Sequence, residues 1–139
     1  VIHLVDTSVV IKWVHEEGET DVDSARRLLT AHRAGRTRLL LLDLVVYEFG
    51  NVLVRALRQP AVVVAQQLDL LHRLCGPFVH PAPSWHADAA RLAERHRLTF
   101  YDASWAAAAS ALGCPLVSAD RTLLDAGLAI GPAEAAGPF

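Results

Sequence analysis

Four carboxylates in this chain, Asp6, Glu48, Asp102 and Asp120, stand where they could act together. Asp6 follows directly on the apolar run Ile2-His3-Leu4-Val5, and Asp120 lies just past Leu116-Val117-Ser118. Both runs read as buried strands. If those strands are parallel, the two acids leave the same edge of one sheet. Asp102 opens an alanine-rich helix that must pack beside that edge. Glu48 falls one turn into a helix expected over 43–59. There Val45, Val46, Phe49, Val52, Leu53, Ala56 and Leu57 form the apolar face, while Glu48, Asn51 and Arg55 run down another side. From that position Glu48 can lean back over the N-terminal end of its helix toward the strands.

An oxygen set of this kind suits a hard divalent cation such as Mg²⁺ or Mn²⁺. No Cys or His set accompanies it, which disfavours zinc. Two carboxylates ~6 Å apart repel by about 3 kcal/mol at an effective dielectric of 20. Four together would take up protons or splay apart unless a cation joined them. A bound cation can activate water and stabilise the charge that builds on a phosphate diester. Each acid also has a purely structural reading: Asp6 as a turn residue, Asp102 and Asp120 as helix caps, Glu48 as an exposed helix residue. Asp43, between a strand and a helix, is assigned to capping alone, and Asp125 to the surface.

The elements that would position these acids alternate between short apolar strands and helices. After the first strand, Ser8 is expected to cap a helix over Val9–Val14. An acidic loop over 16–23 leads to a helix capped by Thr20 or Asp21 and ended by Gly35. Arg38–Leu42 reads as a second strand, and Asp43 opens the helix that Pro60 stops. Ala61–Cys75 is a further helix, Phe78-Val79-His80 a short third strand, and Ser84 caps the helix through Ala93. Tyr101-Asp102 opens the alanine-rich helix that Gly113 terminates. Pro115–Ser118 is another strand, a short helix covers Arg121–Ala126, and Leu128–Ile130 is an edge strand. The pattern implies a parallel sheet covered on both faces, in which ligands gather beyond the carboxyl ends of the strands.

The 139 residues suit one compact domain over 1–139, with 131–139 a poorly structured tail. A hydrophobic share of 53% and a mean hydropathy of +0.28 exclude a disordered chain. No apolar run reaches the ~20 residues of a membrane helix, and no basic leader precedes Asp6, so neither a membrane span nor a signal peptide is expected. Cys75 and Cys114 match no metal or redox spacing and read as thiols of a cytoplasmic protein. The net charge of −2 supplies no global attraction to nucleic acid. Five of the thirteen basic residues, Arg26, Arg27, Arg33, Arg36 and Arg38, nevertheless crowd one stretch, as a nucleic-acid contact patch or a solvated helix face.

Val5-Asp6-Thr7-Ser8 after an apolar start resembles the opening signature of PIN domains. Glu48 in the third helix, Asp102 after Tyr101, and Ser118-Ala119-Asp120 after the last core strand resemble the remaining acidic motifs, in the same order. The resemblance spans essentially the whole chain and is strongest to the toxin half of VapBC toxin–antitoxin pairs. It implies a three-layer α/β/α sandwich with a central parallel sheet. It also implies a Mg²⁺- or Mn²⁺-dependent endoribonuclease that cleaves RNA with a metal-activated water. Asp6, Glu48, Asp102 and Asp120 are carried over as catalytic, metal-holding acids. Thr7, Ser8 and Ser118 become hydroxyls that orient carboxylates or waters, or simply cap helices and strand ends. A homodimer and an antitoxin that covers the active site are further implications.

Other functions fit less well. A haloacid-dehalogenase-type phosphotransferase would want a second Asp two residues after Asp6, where Ser8 stands. A receiver domain would want a lysine after a late strand, and none follows Ser118. A non-catalytic RNA-binding PIN domain would have no need of four intact acids. Lys12, the lone lysine, is expected to face solvent. Arg55 is read as a phosphate contact or a carboxylate partner. The histidines, including His72, His80 and His86, are assigned to surface or core. Trp13, Trp85 and Trp105 read as core or dimer contacts rather than base-stacking rings.

Overall fold

The computed structural model describes residues 1–138. Three parallel strands, β1 (Ile2–Val5), β2 (Arg38–Leu40) and β3 (Leu116–Val117), form a sheet in the order β2-β1-β3. Leu4 lies opposite Leu40 on one side and Leu116 on the other. Successive strand residues point to opposite faces, yet Leu4, Val5, Leu116 and Val117 are all buried. Both faces are therefore covered, and the chain is the expected α/β/α sandwich.

The helices are α1 (Thr7–Val14), α2 (Val22–Arg33), α3 (Leu44–Asn51), α4 (Ala61–Cys75), α5 (Pro83–His96), α6 (Phe100–Leu112), α7 (Arg121–Asp125) and α8 (Pro132–Ala136). In α6 the buried Ala103, Ala106, Ala107, Ala108 and Ala109 leave no side chain long enough to hold a neighbour away, so it packs tightly along α5. Gly113 ends it in the left-handed conformation, at φ 67°. Gly76 ends α4 where a Cβ would overlap the carbonyl oxygen of His72. No helix among the described residues is long and apolar enough to cross a membrane.

Several local expectations are corrected. Asp6, not Ser8, is the N-cap of α1, because its Oδ1 accepts the Ser8 N–H at 3.1 Å and Ser8 is already helical. Asp21 precedes α2 in a left-handed conformation without a side-chain cap, and Ala82 rather than Ser84 precedes α5. The helix expected over 43–59 is regular only to Asn51, then widens into a π turn over Val52–Ala56. Phe78–His80 and Leu128–Ile130 contribute single parallel bridges, Leu42 to Val79 and Val117 to Ile130, rather than strands. The expected tail contains α8, which packs on α2, and Arg27 Nη1 donates to the Gly137 carbonyl at 3.0 Å. Phe139, the last residue of that tail, lies outside the described residues.

Candidate active site

Parallel pairing brings the carboxyl ends of β1 and β3 side by side, and the Asp6 N–H still bonds the Val117 carbonyl at 3.1 Å. Asp6 is thus delivered by the last rung of the ladder, with its side chain only 3% exposed. Its Oδ1 takes the Ser8 hydroxyl at 2.5 Å as well as the Ser8 amide. Ser8 Oγ in turn accepts from the Ala119 N–H at 2.8 Å and lies 3.4 Å from Ser118 Oγ. Ser118 Oγ accepts from the Asp120 N–H at 3.0 Å. A relay of two hydroxyls therefore ties the end of β1 to the end of β3, and fixes Asp6 relative to Asp120.

Glu48 arrives from α3. Its Oε1 accepts from Thr7 Oγ1 at 2.8 Å and from the buried Trp105 indole Nε1 at 2.7 Å. Those two donors come from α1 and α6, so three helices meet on one carboxylate. Asp102 lies in the first turn of α6, and its amide is capped by Thr99 Oγ1 at 3.1 Å. Asp120 caps α7, with Oδ1 accepting the Thr122 N–H at 2.8 Å. Asp6 and Asp120 thus cap helices and also stand at the shared edge; the two readings of these acids are compatible.

The electrostatics join all four. Burial pushes Asp6 up to about 7 against the stabilising hydrogen bonds of Ser118 and Ser8, and the Glu48 charge raises it further. Asp102 is pushed up to about 6, first by burial, then by the Asp120 charge and a carboxyl–carboxyl hydrogen bond to Asp120, then by Glu48. No salt bridge among the described residues joins any of the four to Lys, Arg or His. Also among the described residues, no three acidic, histidine or cysteine side chains close around one point, so a cation here would keep waters in part of its shell. Uncompensated carboxylates repel, and Asp6, Asp120 and Glu48 each turn one oxygen to a cap or an indole. A hard-oxygen donor set with excess negative charge nevertheless fits a divalent cation chemically.

Other residues fall differently from expectation. Lys12 is buried, not solvent-facing, and pairs with Glu19 at 2.9 Å. Arg55 lies in the π turn that follows α3 and is exposed, and no ion pair among the described residues joins it to Glu48. Asp43 makes no capping bond; its Oδ2 instead holds His80 Nδ1 at 2.6 Å. The arginine cluster does not surround the acids. Arg38 pairs with Ile2 at the amino edge of the sheet, opposite Asp6, and Arg33 and Arg36 precede it there. Arg26 is bound to Glu16 at 2.6 Å and Arg27 to Gly137 and Ser24. Trp105 is core as expected, but the sequence reading missed its bond to Glu48. The available signal was that a buried indole N–H needs an acceptor.

Residues 3–127 match the family model described as PIN domain. Over 89 residues the chain is 36% identical to Exonuclease VapC9 of Pyrobaculum aerophilum, covering 64% of this chain and 67% of that relative. Among solved structures, PAE2754 from Pyrobaculum aerophilum superposes with a TM-score of 0.72 at 26% identity, over 98% of this chain and 87% of the other. VapBC2 from Rickettsia felis, bound to a DNA fragment from their promoter, shares the fold at a TM-score of 0.69 and 14% identity, over 94% and 97% of the two chains.

Proposed function

This chain belongs to the PIN domain family, and we propose that it is a divalent-metal-dependent endoribonuclease, the toxin of a type II toxin–antitoxin pair. The observation that supports the reading is that Asp6 and Asp120 leave adjacent strand ends while the Glu48 charge reaches both Asp6 and Asp102, and Asp120 reaches Asp102, with no salt bridge to a base among the described residues. These four residues would hold Mg²⁺ or Mn²⁺. When bound, such a cation neutralises the acids, lowers the pKa of water and stabilises negative charge on a phosphate diester. The chain's own part is positioning. Thr7 and Trp105 fix the Glu48 side chain. Ser8 and Ser118 set the spacing of Asp6 and Asp120. Asp102 and Asp120, less buried than Asp6, form the side open to substrate.

The relative named Exonuclease VapC9 supports nuclease chemistry, and leaves internal against terminal cleavage to experiment. A circular single-stranded RNA decides it, because only an internal cut opens a circle. The expected result is linearisation in Mg²⁺ or Mn²⁺, lost in excess EDTA and lost in Asp6→Asn and Asp102→Asn proteins of unchanged circular dichroism. Digestion of linear RNA with circles left intact would replace the endonuclease by an exonuclease. Cleavage that persists in EDTA would remove the metal mechanism. An antitoxin, a homodimer and action in the cytoplasm belong to the same proposal. Co-purification with the product of an adjacent small reading frame, and sedimentation of the free chain, test the first two.

A further inference from the structure

The chain has two Tyr, four Phe and three Trp. Among the described residues, the only Phe, Tyr or Trp side chains that stand largely exposed are Tyr47 at 76%, Tyr101 at 60% and Phe100 at 48%. All three stand one or two positions along the chain from a carboxylate of the site. Tyr47 immediately precedes Glu48, and Phe100 and Tyr101 immediately precede Asp102. The remaining described aromatics are buried or packed against the core. Exposed rings found only on the two helices that supply Glu48 and Asp102 point to a contact surface rather than the ordinary scatter of apolar residues.

We infer that Tyr47 on α3 and Tyr101 with Phe100 on α6 are stacking subsites for unpaired nucleobases on the strand bound over the carboxylates. The inference rests on the nuclease reading for the identity of that strand. The two helices are joined at the site by the Trp105–Glu48 hydrogen bond, and α3 carries one exposed ring and α6 two close along the chain to the acids. Each of these places has a polar neighbour. Asp43, four residues before Tyr47 and thus on the same helix flank, holds His80, and His86 lies with its ring centroid 6.4 Å from that of Phe100. Bases within a duplex have their faces occupied, whereas an unpaired strand offers every base a π face to a ring. With Arg38 at the opposite sheet edge and Arg121, next to Asp120, paired with Asp125, aromatic stacking adds to the attraction the acid edge can offer a nucleic acid.

The test is fluorescence anisotropy of a labelled, unstructured oligoribonucleotide of about 12 nucleotides, bound in EDTA so that it is not cut. Tyr47→Ala and Tyr101→Ala are expected to weaken binding on the order of tenfold each, whereas Tyr47→Phe and Tyr101→Phe stay within about twofold of the parent. An oligomer with abasic residues should bind the parent no better than the alanine variants bind the intact strand. The melting temperature should hardly move, since these rings are exposed. Alanine variants that bind like the parent would overturn the inference. So would alanine variants that change the sedimentation coefficient but not RNA affinity, because the rings would then be a protein contact. Cleavage in Mg²⁺ is measured in parallel: ring-dependent binding without cutting would sink the nuclease reading while leaving this inference standing.

Discussion

Asp6 is a buried acid whose pKa rises on folding, and that makes the stability of the cation-free chain depend on pH in an unusual direction. Burial lifts the Asp6 carboxyl from 3.8 in the unfolded chain to about 7 in the fold. Between those values the folded chain keeps a proton that the unfolded chain has lost, so stability falls as pH rises through the window. The shift corresponds to an upper bound of about 4 kcal/mol at pH 8, or on the order of 10 °C in melting temperature for a chain of this size. Asp102 acts in the same direction but is partly solvated, which screens its share. His3, whose pKa burial lowers, opposes both. The informative comparison is therefore the parent against Asp6→Asn, which keeps an oxygen to cap Ser8. Urea unfolding in EDTA at a series of pH values from 4 to 8 should show the variant gaining on the parent as pH rises. Saturating Mg²⁺ should remove that gain by stabilising ionised Asp6 in the parent alone. Parallel curves for the two proteins across the range in EDTA would refute the reasoning.

Three smaller perturbations test the supports. Trp105→Phe removes the indole donor from Glu48 while keeping most of the ring, and should cost about 1.5–3 kcal/mol by urea unfolding and weaken Mn²⁺ binding about 10- to 100-fold by calorimetry. Thr7→Val should lower stability by about 1 kcal/mol and weaken the same titration, while Thr7→Ser, which retains the hydroxyl, should do neither. Glu19→Gln strands the Lys12 ammonium in the core and should destabilise by about 1–3 kcal/mol, whereas Lys12→Met should be nearly neutral by the same assay.

Much of this molecule is written locally. Ile2–Val5 is a strand and Ala61–Cys75 a helix with the bounds the sequence implies, because apolar runs and breakers such as Gly76-Pro77 act over a few residues. The same locality places Asp6 and Asp120 just past their strands, since a polar residue ends an apolar run at the sheet edge. Asp6 as cap in place of Ser8 is a shift of one or two residues, decided by which oxygen reaches the first free amide.

What the sequence could not contain is which distant groups meet. Glu48 is held by Thr7, 41 positions away, and by Trp105, 57 positions away, and no periodicity in α3 encodes either partner. Lys12 reads as a surface residue until α2 and the loop before it close over the end of α1 and supply Glu19. Asp43 stands where a cap is expected, but its helical backbone at φ −61° and ψ −19° turns the carboxylate to His80 instead. Arg33, Arg36 and Arg38 fall toward the amino edge of the sheet, because β2 begins at Arg38 and runs parallel to β1, while Arg26 and Arg27 are held on α2 by Glu16 and Gly137. Side-chain type and local pattern fix what each residue can do; packing of elements far apart in the chain fixes what it does it to.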